Sequence, residues 1–424
     1  MCGAPARAES ASTTCDKVAS PQGSDSAPGT VAAPLRTVQA LANALSPGQV
    51  GCLRAGNYEG GLRVNHGGTS EAPLVLRSYP GERAQVTGRL YVPHGSDYVT
   101  IADLKLDGSH QPNEGVLPSP TVDASHTTFE ADDVTNEHTA ICFDLGNPDY
   151  GMAESVAILA NDIHDCGVMP ANNHEHGIYV ADAINTRIIG NVIAHNADRG
   201  IQLYPYSEGA VIEDNAIVEN GEGIIFSGAE GVASDNNIVE HNLVADSLVR
   251  HDIESWYPEG NPIGTGNIAQ ENCVSGAHES PNIATEEGFK AANNVTAAPS
   301  EIVATESGYG VAPGSVCAGV VPQLVLGVKG QEAPSGGGPA GGKESGGGSA
   351  PPVSPPGSPP TSPPSRHWQW HAFSVQAQIP TAHASQAKRR HSRRKAHAKR
   401  SRAAAHRRHR SHGASTHKPP AKRR

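Results

Sequence analysis

The chain has 424 residues, with 47 Gly, 33 Pro and only 4% aromatic residues. That is long for one compact core and suits a solenoid, where each repeat touches only its neighbours. The formal charge of −11 divides into an acidic body, −28 over residues 1–365, and a basic stretch, 366–424, with 17 Lys and Arg and no Asp or Glu. An acidic body argues against nucleic acid as the main ligand, and no apolar run reaches the ~18 residues of a membrane-spanning helix.

Residues 1–30 are small and polar and are expected to be irregular; MCGAPARAES shows no apolar leader segment. PLRTVQALANALSPG then predicts a short amphipathic helix. Leu35, Val38, Leu41 and Leu45 share one face, Pro34 suits the first turn, and Ser46-Pro47-Gly48 ends it. Such a helix covers the open apolar end of a first coil. VGCLRAGNY reads as the first strand, closing a segment of helix and strand over 31–72.

Residues 73–331 repeat the pattern apolar-x-x-Asn-x-apolar. The polar slot falls at Asp132 (FEADDV), Asn161 (ILANDI), Asn191 (IIGNVI), Asn215 (IEDNAI), Asn242 (VEHNLV), Asn272 (AQENCV) and Asn293 (KAANNV), with Leu104 (IADLKL) in the slot before them. The spacings of 29, 30, 24, 27, 30 and 21 residues mean coils of one size with loops of varying length. Stacked at ~4.8 Å, the slots align into a ladder in which each Asn bonds backbone and its neighbours above and below. The alternative is Asn at ordinary turns between unrelated strands, but the flanking apolar residues keep register as well. The expected fold is all-β, a right-handed parallel β-helix with an N-terminal capping helix and a disordered C-terminal tail.

A second pattern, Gly-apolar-x-apolar, follows each slot: GIYV (177–180), GIQL (200–203) and GIIF (223–226), with AICF (140–143) and DIES (252–255) as weaker forms. Alignment on it predicts outer columns. Thr139, His176, Arg199, Glu222 and His251 precede the strand; Cys142, Tyr179, Gln202, Ile225 and Glu254 lie on its outer face; Asp144, Ala181, Tyr204, Ser227 and Trp256 follow. A further column holds Asn136, Asp165, His195, Glu219 and Asp246.

After 331 the composition changes. Residues 332–366 read as a Gly/Ser- then Pro-rich linker. Residues 367–424 read as a disordered basic, His-rich tail whose partners are anionic cell-envelope polymers. The seven cysteines form no CxxC pair, which disfavours a zinc or thioredoxin-type site. Their wide spacing suits disulfides in an oxidising compartment, with Cys15–Cys52 the best pair and buried free thiols the alternative. An odd count leaves at least one unpaired.

The densest polar cluster, NNHEHGIY at 172–179, follows an insertion that overhangs its coil. With His174, Tyr179, Gln202, Tyr206, Glu222, Glu254 and Trp256 as binding groups, this wall suits a sugar polymer, because aromatic faces stack on pyranose rings and polar groups take hydroxyls or uronate carboxylates. For proton chemistry, His176 is the candidate base, Arg199 the cation that neutralises a substrate carboxylate, and Tyr204 the proton donor. That set would support β-elimination or epimerisation. Hydrolysis needs two carboxylates, for which Glu222 with Glu254 or Asp198 are candidates. The competing reading is a solvated polar face. The metal options are Ca2+ at an acidic column such as Asp165, Glu219 and Asp246, and zinc or copper at His174 and His176 with His195.

SPQGSDSAPGTVAAPLRTVQALANALSPGQVGCLRAGNYEG resembles the opening of secreted polysaccharide lyases of the pectate-lyase superfamily, notably the family-nine and chondroitinase-B-like groups. PLVLRSYPGERAQVTG and YVTIADLKLDG are similar to their first coils. The resemblance, over about 18–300, implies a parallel β-helix and a polysaccharide substrate. Those lyases use a Lys or Arg base, often with calcium-binding acidic residues. The lysines among the coils here are Lys105 and Lys290, and no lyase motif carries over residue by residue. HEHGIYV resembles a segment of bacterial mannuronan epimerases, whose Asp-Pro-His-Asp motif is absent. The expectation is a monomeric, extracellular protein that cleaves or modifies a polysaccharide as a lyase, epimerase or hydrolase. The alternative is a non-catalytic carbohydrate-binding or cell-surface solenoid.

Overall fold

A two-residue bend generates the architecture. In the coils from residue 128 onward, one residue in the left-handed region (Ala131, Ala160, Gly190, Asp214, His241, Glu271, Asn293) is followed by a fully or largely buried slot residue. Across coils, the Nδ2 of Asn161 donates to Asn191 Oδ1 (3.0 Å), and the same bond links Asn191 to Asn215 (2.8 Å), Asn215 to Asn242 (2.8 Å) and Asn242 to Asn272 (3.0 Å). Each Oδ1 also accepts the backbone N–H of the Asn before it, as Asn191 does from Asn161 (2.8 Å). Buried amides thus find partners at every coil.

The computed structural model describes residues 14–111, 116–284, 287–305, 308–322 and 324–326. Three sheets form the coils. The first has eleven parallel strands from Lys17–Ala19 to Phe289–Ala292, and the second has ten from Gly56–Glu59 to Val295–Thr296. The third runs from Leu62–Arg63 to Ile283–Ala284, with the side strands Ala153–Glu154 and Val232–Ala233. Inward residues fill one continuous core, among them Phe129, Ile158, Ile163, Ile178, Ile188 and Ile193, all without solvent exposure. Each such side chain is worth ~1.5–3 kcal/mol of burial. Phe129 meets Phe143 edge-on at 5.0 Å, and Phe226 stacks on Phe289 at 4.9 Å.

The structure departs from the sequence reading at both ends. Lys17–Ala19, within the segment expected to be irregular, is a strand paired with Val50–Leu53. The helix spans Val38–Ala44, because Thr37 Oγ1 caps it by accepting from Ala40 N–H (3.1 Å); Pro34 and Leu35 lie before it. In the last coil the slot belongs to Asn294, not Asn293. Asn272 Nδ2 donates to Asn294 Oδ1 (3.0 Å), while Asn293 takes the left-handed position. Pairing of Ile268 with Lys290 and of Ala269 with Ala291 fixes that register and leaves Lys290 exposed rather than inward.

Beyond the coils, Ile302–Thr305, Gly308–Val311 and Leu324–Leu326 form a small antiparallel sheet. Val311, Val321 and Val325 join outward residues of the second sheet (Val192, Ala216, Val218, Leu243) in a second apolar cluster. Disulfides join Cys15–Cys52, Cys142–Cys166 and Cys273–Cys317. Cys2 and the linker and tail read over 332–424 lie outside the described residues. No helix among the described residues is long and apolar enough to cross a membrane.

Candidate functional site on the third sheet

Where the bend between first and second sheets takes two residues, the connections into and out of the third sheet include the long segments 108–120, 165–177 and 257–266. Each of these connections adjoins a strand of the third sheet, whose outer face is called the trough below. Its central outward column reads Arg63, Tyr91, Thr121, Asp144, Tyr179, Gln202, Ile225 and Glu254. Eight strands at ~4.8 Å give a face about 34 Å long.

This register corrects the predicted columns in one coil. Phe143 pairs with Ile178 and Asp144 with Tyr179, so Asp144 occupies the place expected for Cys142. Cys142 is buried in its disulfide, and Thr139 drops out of the column before the strand. AICF imitates the Gly-apolar-x-apolar pattern but lies two residues early. In the true repeats the Gly is needed: a Cβ on Gly223 would lie 2.1 Å from Asp252 O.

At the C-terminal end the charges are paired with one another. Arg199, 4% exposed, donates from Nε to Glu222 Oε2 (3.0 Å) and from Nη1 to Asn173 O (3.1 Å). Arg250 Nη2 donates to Glu254 Oε2 (2.8 Å). Glu254 is 2% exposed, and burial together with the adjoining Glu222 pushes its carboxyl up to about 8. Asp198 accepts the backbone N–H groups of Asn173 (3.0 Å) and Glu175 (2.8 Å), so it holds the overhanging loop.

His176 is 2% exposed, and burial, Arg199 and His174 hold its imidazole well below the usual range. Its Nδ1 faces the Arg199 N–H at 3.5 Å, and its ring lies 5.6 Å from Tyr179. Tyr179 stacks with Tyr204 at 6.3 Å, and both are half-buried. The predicted trio is thus adjacent, but two of its members are closed off. Gln202 is buried, His174 is exposed on the loop, and Trp256 is 36% exposed. Tyr206 is half-buried and donates to Glu208.

At the N-terminal end the trough carries residues that the repeat pattern did not reveal. The guanidinium carbons of Arg63 and Arg89 each lie 4.7 Å from the Tyr91 ring centroid, within cation–π range. Neither arginine has an ion pair among the described residues. Arg89 Nη2 donates to Thr121 Oγ1 (3.1 Å), and its buried Nε has no partner there. Tyr91 donates its hydroxyl to Asp123 Oδ2 (2.8 Å). Asp123 is 1% exposed, and burial raises its carboxyl. Asp144 is half-buried, and burial and the nearby Asp123 push it up to about 7. The signal available in the sequence was the apolar-x-apolar alternation of Leu90–Val92 and Phe143–Leu145, each with its polar residue turned outward.

Two of the three carboxylates in the column proposed for calcium, Asp165 and Glu219, are otherwise engaged. Asp165 takes His164 Nδ1 (2.8 Å) and lies 3.5 Å from His138 Nε2, and Glu219 meets His195 (3.3 Å) and Tyr309 (3.4 Å). Those imidazoles and the phenol occupy the carboxylates that a hard cation would need, so the set does not fit calcium's cage of six to eight oxygens. His174, His176 and His195 do not converge. Among the described residues, three metal-type ligands come together at Glu213, Glu240 and His241, away from the trough.

A family profile described as the right-handed β-helix region matches residues 94–254. Pectate lyase PEL9 of Emericella nidulans is 38% identical over 218 residues, covering 50% of this chain and 46% of that protein. The uncharacterized protein YwoF of Bacillus subtilis is 26% identical over 225 residues, covering 48% and 46%. The chain therefore spans about half the length of the curated relatives it matches. The crystal structure of pectate lyase Pel9A superposes with a TM-score of 0.51 at 15% identity, over 68% of this chain and 78% of that one, which speaks to the fold. The chain is a right-handed parallel β-helix protein similar to pectate lyases.

Proposed function

We propose that the third-sheet trough binds an acidic polysaccharide and that the protein is a carbohydrate-active enzyme, with elimination its leading reaction. The observation that carries this reading is the pair of arginines without ion pairs among the described residues, Arg63 and Arg89, around Tyr91 on a face that continues to the Tyr179–Tyr204 stack. Cations with free donors receive carboxylates, and aromatic faces receive sugar rings. Arg199 is held by Glu222 and Asn173, so we assign Arg199 and His176 to positioning the overhanging loop rather than to proton transfer. The similarity to a protein named pectate lyase agrees with this substrate class.

The second reading, a non-catalytic binder, is favoured by the burial of His176 and Arg199. Incubation with a panel of acidic and neutral polysaccharides separates the readings. Unsaturated product from an acidic polymer is expected; new reducing ends without unsaturation would replace elimination by hydrolysis, and binding without either product would support the binder.

The three disulfides suit an extracellular protein, and we read it as a monomer. The basic stretch at 366–424 is proposed as a tether to anionic envelope polymers. Deleting it should release the protein from envelope fractions at low salt, and unchanged partition would refute the tether.

A further inference from the structure

We propose that Asp144 is the proton-transferring residue of the trough, removing a proton from carbon and returning it to the leaving oxygen. The proposal rests on the reading of the trough as a site for an acidic polysaccharide, and it names the reacting group within that site.

Asp144 stands at the middle of the central outward column, between Thr121 and Tyr179. Its neighbours Phe143 and Leu145 are buried, which turns its carboxyl to the trough. The other carboxyls of this face have protein partners. Glu222 is bound by Arg199, Glu254 by Arg250, Asp198 by two backbone N–H groups and Asp123 by Tyr91. The Asp144 carboxyl has no hydrogen bond among the described residues, although it is packed closely enough to be partly desolvated.

Burial, and after it the charge of Asp123, raises the Asp144 carboxyl. The Asp123 carboxyl is fixed in the adjacent coil by the Tyr91 hydroxyl, and its buried Oδ1 has no partner among the described residues. Arg89 opposes the effect from the same side, while Tyr179 stays a phenol because burial raises it well above the usual range. The outcome is a carboxyl that exchanges its proton near neutral pH, as an acid–base residue must.

Arg63 and Arg89 lie beyond Thr121 in the same column and the one beside it, where they can hold the carboxylate of a uronic sugar. Neutralising that group acidifies the adjoining C–H bond. The Asp144 carboxylate takes this proton, and the C–H electron pair becomes the new C=C bond. The bond from the neighbouring carbon to the bridging oxygen breaks, its pair staying on oxygen. That oxygen takes the proton from Asp144, which returns to carboxylate. The products are one unsaturated sugar end and one new hydroxyl end, with no co-reactant.

The test compares full-length wild type with Asp144→Asn and Asp144→Glu, using an acidic oligosaccharide released from whichever polymer of the panel binds. Calorimetry reads binding, absorbance reads unsaturated product, and thermal melting checks the fold. Asp144→Asn should bind within about threefold of wild type while kcat falls by about 10²–10⁴-fold. Asp144→Glu should retain part of the rate, and the wild-type rate should rise through about pH 7 and then level. An Asp144→Asn enzyme within tenfold of wild type overturns the assignment and leaves the trough reading standing. So does a wild type that binds and makes no unsaturated product. A wild type that binds no acidic polymer overturns both.

Discussion

The two ends of the third-sheet face carry similar residue types in opposite states. At the C-terminal end, buried Arg199 is matched with buried Glu222 and half-buried Arg250 with buried Glu254, and Ile225 between them is 1% exposed. At the N-terminal end, among the described residues, Arg63 and Arg89 lean on Tyr91 without ion pairs, and Asp144 faces outward without a side-chain hydrogen bond. Charges satisfied by one another hold a coil stack together; charges left open are available to a ligand. A polar column on a solenoid thus carries two kinds of information, and only the pairing separates them.

Truncation should show the contrast most strongly. Arg199→Ala leaves buried Glu222 without its main cation and should cost about 3–5 kcal/mol of stability, whereas Arg89→Ala should cost about 1 kcal/mol or less of stability and weaken acidic-ligand binding. Equal melting temperatures for the two variants would break the comparison.

A buried carboxyl with no bonded cation sharpens it further. Asp132 occupies a slot where Asn would donate; its Oδ1 accepts Leu104 N–H (2.8 Å), its Oδ2 has no partner among the described residues, and burial raises it well above the usual range. Asp132→Asn should therefore stabilise by about 1–3 kcal/mol, measured by denaturant unfolding. A loss of stability would mean that the carboxyl has a role in the ladder that an amide cannot fill.

The smallest effect is a pH slope. Glu254 is raised in the folded state to about 8, so its contribution is complete below the unfolded value near 4.3 and is lost as pH rises through 8. Glu254→Gln should gain stability relative to wild type between about pH 5 and 9. A pH-independent difference would place the proton elsewhere in the network.

The ladder was legible because its slot and the apolar residues on each side recur together, from Asp132 to Asn272. The pattern failed at KAANNV, where two adjacent Asn and weak apolar flanks permit either register; only the pairing with Asn267–Gln270 selects Asn294. The face was half legible. The adjacency of Arg199 and Glu222 followed from coil spacing, but the direction in which a guanidinium turns depends on the Asn173 carbonyl of a loop 26 residues away. Asp144 was misplaced by two residues because its coil lacks the template glycine and carries a disulfide in the segment that imitates it. Arg63, Arg89 and Tyr91 lie in coils without that template, so their outward alternation had nothing to be aligned with.

The central claim is that the N-terminal half of the third-sheet face is where the polysaccharide lies. Hydrogen exchange of the full chain with and without a bound acidic oligosaccharide tests it directly. Protection should concentrate in the backbone around Tyr91, Thr121–Asp123, Asp144 and Tyr179. Protection on the second-sheet side around Val192–Ala194 and Ala216–Val218, with the third sheet unchanged, would contradict it.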